Sequence, residues 1–199
     1  MKHRNVRDRL IENTIKVIAA NGLDKTTTKA IVSGTGINEA YIYRDFADKE
    51  DLFVHVFDKL DDALQAKLMQ HLPLMSMREL KRELRCRMYF DAVWKFLLGS
   101  KENCLAYVQY YYSPYFNKYS VKRHRQRYQP LIEKFSKEFV EEADVWMILN
   151  HILNVLLDFA VMVHNDHMSK EDAYAEHVFR VVYRSIEQYF KKEEGSDID

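Results

Sequence analysis

GLDKTTTKAIVSGTGINEAYIYRDFADKEDL, residues 22–52, decides the fold of this chain. Gly22 is a natural left-handed stop for a preceding helix. In the Thr26–Thr28 triplet a threonine hydroxyl can accept from the orphan N–H groups of a helical first turn, so a short helix is predicted over roughly 28–34. Gly36 allows a tight turn. Asn38 caps a second short helix running to about Phe46, and Asp48 caps a longer one. Two short helices crossing over a turn that contains glycine make a helix-turn-helix, whose second helix enters the DNA major groove. Ile31, Val32, Ile37, Ile42 and Phe46 suit its small shared core. Glu39, Ala40, Tyr41, Tyr43 and Arg44 are left for the other faces of the second helix. So short a helix is unstable alone and must be held by its neighbours.

Those neighbours lie on either side in sequence. Leu10, Ile11, Ile15, Ile18 and Ala19 mark a first helix at helical spacing. After Asp48, the apolar side of the long helix carries Leu52, Phe53, Val56, Phe57, Leu60 and Leu64, and Pro73 ends it. Beyond, a helix from about Ser76 closes at Gly99. A Tyr-rich helix spans about 102–113 before Pro114. A third runs from about Val121 to Val140, with Pro130 kinking or interrupting it. Two long helices finish the chain, over about 143–164 and 169–192, and residues 193–199 are a frayed tail. Five Gly and three Pro in 199 residues are too few for sheets and hairpins. The fold class is therefore all-α: a three-helix head over 1–48, joined by a connecting helix to a helical body over 49–199.

At these positions the chain resembles the head of the tetracycline-repressor (TetR) family. The residues that carry the resemblance are Gly22-Leu23, Thr27-Thr28, Ile31-Val32, Gly36-Ile37-Asn38, Ile42-Tyr43-Arg44-Asp45-Phe46 and Lys49-Glu50-Asp51-Leu52. The resemblance implies a transcriptional regulator, most simply a repressor, that binds a palindromic operator in double-stranded DNA as a homodimer and answers to a small-molecule effector in its body. It implies phosphate contacts from Thr28, Tyr43 and Lys49, with Thr27, Lys29 and Asn38 beside them. Glu39, Ala40, Tyr41 and Arg44 then lie on the reading helix. The family has His where this chain has Asp45; a carboxylate there is repelled by phosphate, so Asp45 either pairs locally or points away.

Net charge is zero, so any DNA-binding surface is local. Residues 1–49 hold nine Lys and Arg against six Asp and Glu. Lys2, Arg4, Arg7 and Arg9 form a candidate arm toward DNA, with a solvated N-terminus as the equal alternative. In the body, Ile152, Leu156, Phe159, Val182, Ile186 and Tyr189 form stripes on the last two helices that suit a dimer's four-helix bundle, or packing on the body itself. Phe90, Trp94, Tyr107, Tyr110 and Tyr111, with Asn150 and Asn154, are candidates for an aromatic or apolar effector pocket; a filled aromatic core is the alternative. The basic run Lys118, Lys122, Arg123, Arg125, Arg127 reads as a solvated face, with an anionic ligand as the other reading.

Cys86 and Cys104 lack metal-type spacing, and the pair His164 and His167 lacks a third ligand, so neither metal nor cofactor is implied. No catalytic motif, signal peptide or run of eighteen apolar residues is evident, which points to a cytoplasmic regulator away from membranes rather than an enzyme. A regulator controlled by a partner protein is the alternative to control by a small ligand.

Overall fold

Helix α1 (Lys2–Asn21) buries Leu10, Ile11, Ile15 and Ile18, whose three- and four-residue intervals put them on one face. Gly22 ends it at φ 86°, its N–H bonding to Ile18 O at 2.9 Å. The short helices α2 (Thr28–Val32) and α3 (Ala40–Asp45) follow, separated by Gly34 and Gly36, both at φ 70°. A side chain at such a φ is strained, so glycine here is what allows the tight reversal. Then come α4 (Lys49–His71), α5 (Arg82–Leu98), α6 (Lys101–Tyr111), a π turn over Phe116–Ser120, α7 (Val121–Phe135), α8 (Val145–His164) and α9 (Asp172–Ile186). The computed structural model describes residues 2–192, and side chains over 6–171 and 174–192; no strand occurs among them. The expected tail at 193–199 lies outside the described residues, as do the side chains of Lys2 and Arg4.

Several helix ends differ from the periodicity reading. Residues 72–76, including Pro73, form a 3₁₀ turn, and α5 begins at Arg82 rather than near Ser76. Pro130 does not interrupt α7, which continues to Phe135. The carbonyl that a residue-130 N–H would have bonded belongs to the exposed Gln126, where water can satisfy it. The last helix is shorter at both ends than 169–192.

Packing divides the chain into two compact units that do not follow a boundary at residue 48. The first comprises the residues up to Ala66 together with Leu97–Arg127. In it α1 packs on α2, α3 and α6. Phe57 of α4 stacks on Tyr110 at 4.7 Å between ring centroids and lies 5.2 Å from Tyr107 and 5.5 Å from Phe116. These aromatic contacts, out of reach of a reading by neighbouring sequence, tie the first half of the connecting helix to the head.

The second unit comprises Lys67–Phe96 and the chain from Tyr128 onward. Helix α8 is its core helix and packs on α9, burying Ile148, Leu149, Leu153, Leu156, Ala160 and Val163. By length and composition alone α8 could cross a membrane (mean hydropathy 1.7), a helix that the count of unbroken apolar residues passes over; its buried face is that of a core helix. A bridge, Phe139 to Phe190, joins the segments before α8 and after α9, with their rings stacked at 4.8 Å. Beneath it the buried Glu138 accepts from Arg78 at 2.6 and 2.9 Å, and the fully buried Arg85 stands 3.7 Å away.

Candidate nucleic-acid interface

The head is built from its caps upward. Thr27 Oγ1 accepts from Ala30 N at 3.1 Å and starts α2; Asn38 Oδ1 accepts from Ala40 N at 2.9 Å and starts α3; Asp48 Oδ1 accepts from Asp51 N at 2.8 Å and starts α4. Each satisfies an orphan donor of a helix too short, or too exposed, to stand without it. The angle between α2 and α3 is fixed from both faces. Inside, Ile31 and Ile42 are fully buried with Phe46 beside them. Outside, the Thr28 hydroxyl donates to the Glu39 carboxylate. Asn13 and Arg9 of α1 donate to the carbonyls of Ile31 and Thr35, pinning the start and end of the turn.

What remains outward on α3 is Ala40, Tyr41, Tyr43 and Arg44, with Asn38 ahead of them. Tyr43 is 59% exposed and Tyr41 38%. Solvated tyrosines on a short helix serve no core, and each offers a phenolic donor. Arg44 lies over the Tyr41 ring at 4.1 Å and donates to both Asp45 oxygens, at 3.0 and 3.3 Å. That bond to Asp45 raises the guanidinium pKa further, so Arg44 stays cationic. The Asp45 side chain itself is only 1% exposed. It pairs locally, which resolves the departure from His at this position: the carboxylate is turned out of solvent.

Thr27 and Lys29 are exposed at the start of α2, whereas Thr28 is half-buried with its hydroxyl already given to Glu39. The Lys49 ammonium sits over the Phe53 ring at 5.4 Å, in the first turn of α4. Two residues of the candidate arm are used on the head itself. Arg7 covers the Phe46 ring at 5.0 Å and Arg9 holds Thr35, both within α1, because helix formation carries them back onto the head.

The candidate effector residues part company. Tyr107, Tyr110 and Tyr111 belong to the filled core of the first unit. Tyr107 donates to Asp61 at 3.1 Å, Tyr110 shares a 2.9 Å hydrogen bond with Ser120, and Tyr111 stacks on Tyr107 at 5.9 Å. Around Asp61, fully buried on α4, stand His124 (Nδ1 at 3.0 Å) and Arg127, which also reaches Asp58 at 3.2 Å. Nothing in the local sequence pattern of Asp61 marks this network, because its partners come from α6 and α7.

Phe90 alone of the named set lines a cavity, one of about 70 Å³ in the second unit, with Cys86, Tyr89, Leu153, Phe179 and Tyr183 among its walls. Burial pushes the Tyr89 hydroxyl pKa up, and it donates to Leu68 O at 3.1 Å. Trp94, Asn150 and Asn154 are not on this wall; Asn150 donates to Trp146 O at 2.7 Å. The apolar stripes also face inward. Leu156, Val182 and Ile186 are buried within their own unit and line the cavity with Ile152, while Phe159 and Tyr189 are half-buried. The outward faces of α8 and α9 instead carry Met147 and Val181, each 54% exposed, with Met162 and Tyr174.

Residues 10–56 match the family of bacterial regulatory proteins named tetR. No curated protein sequence matches the chain. Among solved structures, a TetR family transcription regulator from Marinobacter aquaeolei VT8 is similar at 15% identity and TM-score 0.74, over 93% of this chain and 98% of that one. A putative tetR family regulator from Shewanella sp. PV-4 is similar at 12% identity and TM-score 0.73, over 90% and 96%. The regulator FadR from Bacillus subtilis, solved in complex with stearoyl-CoA, is similar at 18% identity and TM-score 0.61, over 88% and 96%. Residues 10–56 thus carry the head of the tetR family of bacterial regulatory proteins, and nearly the whole chain shares the fold of these solved regulators.

Proposed function

We propose that this regulator is a cytoplasmic repressor, a homodimer that binds a palindromic operator and leaves it when an apolar effector enters the second unit. The observation that carries the DNA reading is α3: four outward residues, two of them tyrosines, on a helix whose inward face is wholly committed to the head. Tyr43 and Lys49 hold the DNA backbone and set the register; Ala40, Tyr41 and Arg44 face the base edges. The functional division is a head over 1–48 and a body over 49–199. Dimerisation uses the outward faces of α8 and α9, around Met147, Met162, Tyr174 and Val181, since the inward stripes are already covered. Two reading heads then sit about one DNA turn (~34 Å) or somewhat more apart.

The effector is a small neutral molecule, aromatic or aliphatic. The wall around the cavity carries no charged side chain, so a charged group inside would go unpaired. The similar FadR is solved with stearoyl-CoA, and the apolar acyl chain of that ligand supports an apolar group in a cavity of this kind. Effector binding favours one of two dimer arrangements, only one of which fits the operator spacing.

Selection of DNA fragments by the purified protein, beginning with the region beside its own gene, tests the reading. A palindromic fragment should emerge. Tyr43→Ala and Lys49→Ala should then weaken binding across all sequences and flatten its salt dependence. Parent-like binding by both variants would sink the docking model.

A further inference from the structure

We propose that the turn before α7 and its first helical residues, 118–125, are a second DNA-backbone contact, a basic ledge that continues the phosphate-binding edge begun at Lys49. The inference rests on the reading of the head as DNA-binding, and reaches beyond it to a part of the chain outside the family match at residues 10–56.

Position is the first observation. Within the first unit, the ledge stands directly beside the first turn of α4. The Tyr119 hydroxyl donates to Glu50 Oε2 at 2.5 Å, and Lys118 Nζ lies 3.5 Å from the same oxygen. Tyr115 meets Phe53 edge-on at 6.0 Å, and Phe53 is the ring under the Lys49 ammonium. A phosphate held by Lys49 is therefore within a side chain's length of this segment.

Charge is the second. No Asp or Glu occurs from residue 103 to residue 132, and the structure sorts the cations of that stretch by helix face. Arg123 and Arg127 are paired with α4 carboxylates, Arg123 reaching Asp58 at 3.2 Å from an exposed position. His124 is buried against Asp61. Lys118, Lys122 and Arg125 turn outward: Lys118 is 63% exposed, Lys122 and Arg125 are exposed, and Tyr119 is exposed among them. The π turn over Phe116–Ser120 helps set this division, since it buries Phe116 and Ser120 while leaving 117–119 outward.

The third observation is a problem the ledge solves. Asp48, Glu50 and Asp51 crowd the start of α4, where a phosphate must approach. Asp48 and Asp51 are turned to backbone N–H groups, of Asp51 and Ala47. Glu50 has no such role and is instead met by Lys118 and Tyr119. The ledge thus screens the carboxylate nearest Lys49 and adds outward cations next to it.

The test uses the full chain, a long mixed-sequence DNA duplex, and a salt titration of affinity. Each lost phosphate contact removes about 0.9 from the slope of log affinity against log salt. The triple variant Lys118→Ala/Lys122→Ala/Arg125→Ala should lose about two to three from that slope and bind at least tenfold more weakly at low salt. A charge-matched control in the second unit, Lys95→Ala/Lys134→Ala/Lys137→Ala, should change the slope by less than half as much. Glu50→Gln should bind more tightly than the parent. Parent-like slope and affinity in the triple variant, while Tyr43→Ala weakens binding, would overturn the ledge and leave the head reading intact. Equal losses in the triple variant and the control would also overturn it, as an effect of net charge. If Tyr43→Ala binds like the parent, the head reading is the one that fails.

Discussion

The two units of this molecule solve the same packing problem in opposite ways. Both gather aromatic side chains between helices. In the first unit the rings close on one another, and their polar ends are paired: Tyr107 with Asp61, Tyr110 with Ser120, His124 with Asp61. In the second unit the rings of Phe90, Phe135, Phe139 and Phe179 surround about 70 Å³ of empty space, with no charged group on the wall. A wired core has one low-energy arrangement, because moving any member strands a buried polar atom. A dry cavity lined by aliphatic and aromatic side chains lacks that penalty and can reshape around an occupant. The difference assigns rigidity to the part that carries the head and adaptability to the part that holds the cavity.

The largest test of that contrast strikes the wired core. Asp61→Ala removes the buried partner of Arg127, His124 and Tyr107 at once, and should destabilise the protein by about 3–5 kcal/mol. Urea unfolding read by circular dichroism measures this. A loss under about 1 kcal/mol would mean the network is solvated and the first unit is not held by it.

A middle-sized effect is expected from Tyr110→Phe, which keeps the stacked ring on Phe57 and deletes only the hydroxyl shared with Ser120. Leaving the fully buried Ser120 without that partner should destabilise by about 1–3 kcal/mol. The same chemistry applied to the cavity, Tyr183→Phe, should change stability by less than about 0.5 kcal/mol, because that hydroxyl belongs to a half-buried residue on an adaptable wall. Equal effects in the two variants would erase the distinction between the units.

How far the sequence carried this picture follows the range of the interactions. The head was legible because its signals are local: caps at Thr27, Asn38 and Asp48, and positive φ at Gly22 and Gly36, are each read within four residues. Asp45 was legible only as a question, and its bond to Arg44 with a buried side chain answers it. The body's helices were legible in number, but their ends were not, since Pro73 and Pro130 are absorbed by 3₁₀ geometry and by exposure to water. Which face of α8 and α9 points inward was not legible at all. Both faces carry apolar residues, and only tertiary packing puts Leu156, Val182 and Ile186 inside and Met147 and Val181 outside. The tyrosines of α6 were ambiguous for a related reason. A run of them fits a pocket and a core equally well, and the choice was made by Phe57 and Asp61, some fifty residues away on α4.

A small expected effect on stability, at the cavity wall, gives the sharpest reading of the contrast. Leu153 is a buried wall residue of the cavity, and Leu153→Phe adds three carbons to a space already empty. Filling it should change stability by no more than about 1 kcal/mol, because overpacking is avoided when a void is present to take the volume. Xenon provides a direct measure of that void, since apolar cavities stay dry and take it up. In crystals under xenon pressure, the parent should bind the atom beside Phe90 and Phe179, Leu153→Phe should bind none there, and the core around Phe57 and Tyr110 should be empty of xenon in both. Xenon entering the first unit instead would reverse the assignment of rigid and adaptable parts. A Leu153→Phe protein that loses xenon, keeps its stability and still binds DNA would show that neither the fold nor the head depends on the void.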